Sequence, residues 1–436
     1  MKQLDDLATP FASVAEALIA EEGTAPWLKA VRQQALDEFK LNSLPAKKVE
    51  DWKYTSLWSL SQQAFNHNAD AVTLTAQQVS DVAILVDAYR VVIIDGEYSS
   101  EHSSIKTLTE GVSISPLMSA DSTLESRLGQ QVELNKAGLT AVNTMLMTEG
   151  VVINVEQGIK LDKPIELLVI NSGHTANLAS HIRNNVVMAE ESEATLIEHY
   201  VGLHDDATYF NNVVTEVSLD KAAQLTHYKL QQESLNAFHI ATLAATQAAD
   251  SQWLTNNISL GAKLARNDIH SQLLGEQSHV TMDGMYLVKG DQHVDNHTRI
   301  DHAVPNTTSE ELYKGVLDDT SHAVFNGKVF VHKDAQKTDA NQSNHNLLLS
   351  RGCEIDTKPE MEIYADDVKC GHGSTVGQLN ADHLFFLRAR GLDEVSARSL
   401  LTYAFAVDVL TRIPNLVIRE SLANVIEKRL PRKGDK

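Results

Sequence analysis

Cys370 and His372 stand two positions apart in Lys369-Cys370-Gly371-His372-Gly373-Ser374-Thr375-Val376-Gly377, the segment of this chain best equipped for metal chemistry. Extended backbone puts the thiol and the imidazole on one face, because side chains alternate with a period of two. Gly371 and Gly373 leave room for backbone or a second chain to approach the ring. A thiolate beside an imidazole suits iron or zinc. It is half a site, however, and the only other cysteine in the 436 residues is Cys353. Two thiols cannot hold a four-thiolate cluster, so further ligands must come from histidine, carboxylate or another chain. The same residues also read as a partly buried cysteine next to a turn histidine, and both readings stay open.

A second group, His293, Asp295, His297, Asp301 and His302, falls within one short stretch. His293, Asp295 and His297 share a face if extended, which is a metal geometry on paper. Stacked polar side chains that satisfy one another are the alternative. The chain contains no Gly-x-x-x-x-Gly-Lys-Ser/Thr loop, no Gly-x-Ser-x-Gly elbow and no His-Glu-x-x-His helix. ATP hydrolysis would therefore have to come from a partner.

The elements that position these residues are mostly β. The first sixty residues read as helical. Val14, Ala15, Leu18 and Ile19 recur at helical spacing within Phe11 to Glu22, and Trp27, Val31, Ala35 and Phe39 within Pro26 to Phe39. Residues 61–133 mix short strands, such as Tyr89 to Gly96, with polar loops. From about 134 to 379 short β-rich runs follow one another with almost no convincing helix, separated by turn residues such as Gly158, Gly173, Gly261 and Gly290. Asn184-Asn185-Val186-Val187 leading to His199-Tyr200 is echoed by Asn211-Asn212-Val213-Val214 leading to His227-Tyr228, an offset of 27 to 28 residues. Stepping on reaches Phe238-His239-Ile240 and then Asn267-Asp268-Ile269. A fixed period of this size signals a solenoid. Ala194, Leu196, Val217 and Leu219 fit its inward slots. Residues 380–436 return to helix, with Asn380 as an N-cap, Arg390-Gly391 as a stop and Pro414 before the last segment. This tail is expected to cover the solenoid's end and to carry surplus apolar surface for docking, with Leu401, Phe405 and Leu410 as partner-binding candidates.

Lysine and arginine number 37 against 58 acidic residues, a formal charge of −21 at pH 7. Such a surface repels phosphate backbones and anionic lipids, so nucleic acid and membrane are disfavoured partners. No apolar run is long enough to span a bilayer. Asp5, Asp6 and Thr9-Pro10 interrupt what a secretion signal would need, so the expected location is the cytoplasm.

The stretch Asp356-Thr357-Lys358-Pro359-Glu360-Met361-Glu362-Ile363-Tyr364-Ala365-Asp366-Asp367-Val368-Lys369-Cys370-Gly371-His372-Gly373 resembles the C-terminal signature of the SufB/SufD family, and its Asp-Asp-Val-Lys-Cys run points to the SufD branch. Ala335 to Ala340, Asn344 to Ser350, Tyr313 to Leu317, Phe325 to Lys328 and Glu50-Asp51-Trp52-Lys53-Tyr54-Thr55 also match, so the resemblance spans most of the chain. It implies a mainly β protein with a right-handed parallel β-helix core between α-helical N- and C-terminal regions. It further implies a non-catalytic scaffold subunit for iron–sulfur cluster assembly. The implied partners are a SufB-like subunit, a SufC-like ATPase docked on the C-terminal helices and, indirectly, a cysteine desulfurase system; a homodimer is expected when the chain is alone. The histidine matching His372 is implicated at the subunit interface in cluster formation or iron entry, with Cys370 as an accessory ligand or a structural thiol. A transient iron–sulfur cluster or iron at that interface is the implied cargo. Reduced flavin is associated with the complex, but no motif here carries it. In the family, His and Asn recur around His293 to His302 as polar ladders along a solenoid turn. With two cysteines, this chain is a poor main sulfur acceptor and a better supporting half. The rival classes are a β-helix carbohydrate-active lyase or hydrolase, which would need a carboxylate pair not found here, and a purely structural interaction protein.

Overall fold

The computed structural model describes residues 2–46, 48–120, 122–132 and 138–431. The boundary expected at 133–134 lies outside the described residues. Two long sheets of ten and nine strands run the length of the molecule, and consecutive strands from Val151–Val155 onward alternate between them. Each strand pairs in parallel with the strand two further along the chain, as a solenoid requires. The inward residues form one apolar column from Val91 to Cys353, and it includes Ala194, Leu196, Val217 and Leu219, the inward slots read from the sequence.

The step between stacked strands varies. Val186 pairs with Val217, 31 residues on, Phe210 with Phe238, 28 on, and Phe238 with Leu264, 26 on. The two Asn-Asn-Val-Val segments therefore do not stack. Asn184 lies against Thr215, and Asn211 against Ser180. The constant 27-to-28 offset is a coincidence of composition, since corners absorb insertions while the strands hold register.

The device that does recur sits at a corner. Glu191, Asp250, Gln277, Asn306 and Lys337 take positive φ, and each is followed by a buried Ser or Thr. The hydroxyls of Ser192, Ser251, Ser278, Thr307 and Thr338 each donate to a carbonyl three residues back, at 2.6 to 3.3 Å. This fixes the turn before each strand of the ten-stranded sheet and satisfies a carbonyl that burial would otherwise orphan. Cys353 fills the same slot before the strand Glu354–Ile363, with Sγ 3.1 Å from the Ser350 carbonyl oxygen.

Eight α-helices flank the sheets: α1 (Lys2–Ala20), α2 (Pro26–Asn42), α3 (Trp58–Ser61), α4 (Ala76–Val82), α5 (Gly138–Leu146), α6 (Ala381–Ala389), α7 (Glu394–Val407) and α8 (Leu416–Arg429). Helix α5 corrects the expectation of almost no helix after 134. All nine of its residues are buried, so it shows no polar face for periodicity to reveal. The N-terminal helices pack on the outer face of the nine-stranded sheet through Phe11, Leu36 and Phe39 against Phe210, Phe238 and Leu264.

The tail does not cover the solenoid's end, contrary to expectation. Ile418, Leu422 and Ile426 of α8, with Val409, Leu410 and Ile413, lie along the flank of the ten-stranded sheet. There they bury Tyr228, Leu230, Ile258, Leu260, Met285 and Val316. That outward apolar stripe needs a cover more than the end does. At the opposite end the sheets close with short antiparallel strands, Glu97–Tyr98 and Val112–Pro116. The last strands, Glu354–Ile363 and Lys369–Gly377, each have a neighbour on one side only.

Candidate metal and partner sites on the last coil

The strand expected over Met361 to Val368 stops at Ile363, and Lys369–Gly377 is itself the final strand rather than the loop after one. Between them, Asp366-Asp367 turns the corner. The Asp367 amide donates to Gln336 Oε1 at 2.9 Å, the Lys337 amide donates to the Asp367 carbonyl at 2.6 Å, and their side chains form an ion pair.

Parallel pairing sets Cys370 across from Ala340 and His372 across from Gln342. Ala340, Gln342 and Asn344 are buried while Asn341 and Ser343 are not, so the first three face the interior. Cys370 and His372 therefore share the interior side, as the period of two requires, at the mouth of the open coil. His372 is exposed. Cys370 packs against Ala340, Val331 and Ala365, and burial pushes its thiol above the usual range. Cys370 is thus a protonated thiol at neutral pH, and a cation would have to displace the proton to gain it as a ligand. Gly373 has open space where a Cβ would stand and no positive φ, so nothing inside the fold demands glycine beside His372.

Below His372 runs a polar column that sequence reading missed. Glu311 stacks under Gln342, and Gln342 Nε2 donates to Glu311 Oε2 at 2.6 Å. Burial pushes the Glu311 carboxyl up to about 7. Gln342 Oε1 is buried without a partner among the described residues, one strand from His372.

The cluster between His293 and His302 divides in two. His302 points inward, with hydrogen bonds to Thr307 and Ser309, while Asp301 accepts from Arg299 and His270. On the outer face, Arg266 Nη1 donates to Asp295 Oδ2 at 2.6 Å and to the Asp51 carbonyl at 2.7 Å, and its guanidinium lies 4.0 Å from the Trp52 ring. His297 Nε2 lies 3.0 Å from the second Asp295 oxygen. Thr55 Oγ1 donates to Asp295 Oδ2 at 2.5 Å and, its only proton spent, accepts from His293 Nε2 at 2.9 Å. Together with its ion pairs, these bonds hold the Asp295 carboxyl far below the usual range despite burial, and burial pushes His293 down to about 4. The network is a polar ladder that straps Glu50 to Thr55 onto the sheet.

The three partner candidates on the tail are placed unequally. Leu410 is 1 % exposed, inside the flank core. Phe405 is half-buried with Lys314 Nζ 4.7 Å from its ring, and Leu401 is half-buried. The exposed apolar surface lies elsewhere: Phe385 (75 %), Phe386, Val395, Leu400, Leu416 and Val417. Helix α6, capped by Asn380 Oδ1 accepting from the amides of Asp382 and His383, buries none of its nine residues. No helix among the described residues is long and apolar enough to cross a membrane.

Fold and site together define a parallel β-solenoid protein with an open, ligand-bearing last coil and a tail rich in exposed apolar side chains. Comparison with known proteins gives the class a family. The family described as "SUF system FeS cluster assembly, SufBD core domain" matches residues 169–405, and "SufBD protein N-terminal region" matches residues 1–167. The iron-sulfur cluster assembly protein SufD of Escherichia coli (strain K12) is 32% identical over 417 residues, covering 95% of each chain. An iron-sulfur cluster assembly SufBD family protein of Synechocystis sp. is 33% identical, covering 91% of this chain and 90% of its own. SufD of Bacillus subtilis (strain 168) is 23% identical over 93% of this chain. The chain belongs to the SufBD family of iron–sulfur cluster assembly proteins, and the carbohydrate-active alternative gives way to that assignment.

Proposed function

We propose that this chain is the supporting scaffold subunit of a cytoplasmic cluster-assembly complex. It pairs with a SufB-like subunit through its open last coil and binds a SufC-like ATPase through its C-terminal helices. A cysteine desulfurase system supplies sulfur to the complex, and ATP hydrolysis belongs to the partner. The observation that carries the reading is His372, an exposed imidazole on the unpaired final strand.

An unpaired strand edge is a template for a second chain. A partner strand laid against Lys369–Gly377 buries the edge and brings its own ligands to His372. Iron or a nascent cluster is the substrate held there. His372 donates one imidazole nitrogen, Cys370 is an accessory ligand or a structural thiol, and the partner completes the set. Gly373 leaves the approach clear. The solenoid interior offers only a gap about one water in size, lined by residues such as Glu198, Thr215, Lys229, Asn257 and Asn267. That gap does not fit a flavin ring, so no step is drawn through one.

Affinity purification from the native host, followed by identification of the co-purifying chains, tests the reading. A SufB-like and a SufC-like chain are expected. Recovery of neither overturns it.

A further inference from the structure

Across the last coil from His372, on the outer face of the nine-stranded sheet, a second group of ligand side chains has no part in the role proposed above. His322 opens the strand His322–Val331 and pairs in register with Glu354, which opens Glu354–Ile363. Asp356 stands two positions on from Glu354, on the same face. Ligand atoms of all three lie within 4.8 Å of one another, and His322 Nε2 is 2.8 Å from Asp356 Oδ2. Ligands about 2.0–2.2 Å from a metal lie roughly 3–4 Å apart, so small side-chain movements bring the three to bonding distance.

The surroundings favour a cation. Among the described residues the Glu354 carboxylate has neither a hydrogen bond nor an ion pair. The outward lysines of the same strands are engaged elsewhere, Lys328 with Glu362 and Lys358 with Glu50 and Glu360. The negative charge of Glu354 and Asp356 therefore meets only His322. That ring is held from behind by the edge-on ring of His293, 4.6 Å away, which Thr55 fixes in turn. One ligand sits on each of two hydrogen-bonded strands and a third follows by alternation, so the spacing is set by rigid backbone.

We infer that His322, Glu354 and Asp356 bind one first-row divalent cation. The donors are one nitrogen and two carboxylates without a thiolate, which suits Mn²⁺, Fe²⁺ or Zn²⁺, with water in the remaining positions. The site does not depend on His372, which lies in the other sheet.

The full chain, stripped of metal, is titrated with Mn²⁺ by the loss of its free EPR signal, and with Zn²⁺ by equilibrium dialysis. One saturable Mn²⁺ per chain, displaced by Zn²⁺, is expected. Glu354→Gln with Asp356→Asn should weaken binding at least about tenfold, and His322→Ala likewise. Glu354→Gln alone alters one exposed side chain and should also weaken binding while the circular dichroism spectrum and Tm stay unchanged. His372→Ala should bind as the wild type does, which keeps this result separate from the cluster-forming role. Absence of saturable binding by the wild type, or undiminished binding by Glu354→Gln and by the double variant, overturns the inference, as does loss of the site in His372→Ala.

Discussion

His372 and Glu311 show how one register produces opposite environments. Both face the solenoid interior, but His372 stands on the last strand and meets open space, while Glu311 lies two strands deeper and fully covered. Desolvation disfavours the charged carboxylate, so the Glu311 pKa rises to about 7. A group whose pKa is raised by folding contributes stability that is fully present below its ordinary value and is lost as pH rises through about 7. Glu311→Gln removes that loss. Its Tm should match or trail the wild type at about pH 5 and exceed it at about pH 8.5, a swing of roughly 3 kcal/mol at most. An equal difference at both pH values would contradict the buried, neutral carboxyl. Arg183 and Glu216, each with a fully buried side chain, make the complementary case. Glu216 also accepts from the amides of Gly129 and Gln131. Glu216→Ala leaves the guanidinium buried without its anion and should cost about 3–5 kcal/mol in urea unfolding.

Elements differ in how far the sequence disclosed them. Alternating strands and capped helices are local signals, so the solenoid, the inward slots and the Asn380 cap were legible. The true repeat was hidden because it resides in a conformation, a left-handed residue before a buried hydroxyl, and no single residue type marks it. Glu191, Asp250, Gln277, Asn306 and Lys337 share that φ and little else. Helix α5 was hidden by complete burial. At the candidate site, the shared face of Cys370 and His372 followed from alternation. The His322–Glu354 pairing did not, because 32 residues of chain separate its members and only register joins them. Leu410 was chosen for its helical spacing, and its place in the flank core shows why periodicity cannot say which neighbour an apolar face meets. The docking surface is better sought on Phe385 and Phe386. Replacing both with Ser should lower ATPase co-purification more than about tenfold while leaving Tm unchanged, because neither is buried. Retained co-purification would move docking away from α6. Deleting the tail is a poorer test, since it would also expose Tyr228, Leu230 and Ile258 on the sheet.

At the scale of the molecule, the two ends of the solenoid are finished differently. Antiparallel strands close the first, while the last leaves two sheet edges bare and shows Ile363, Tyr364 and Val376 to solvent. Pro359 within Glu354–Ile363 suits a strand with no further neighbour in its own chain. The long column of coils thus serves to hold one end rigid and open. Tyr364→Ser with Val376→Asp should weaken pairing with a SufB-like chain at least about tenfold, measured by co-purification, with little change in Tm. Undiminished pairing would place the interface elsewhere. The central claim is that His372 acts in chemistry completed by a second chain. Its most direct test is iron and acid-labile sulfide in the complex isolated with His372→Ala: all partner chains retained and both contents sharply reduced is the predicted result, and wild-type content of both would contradict it.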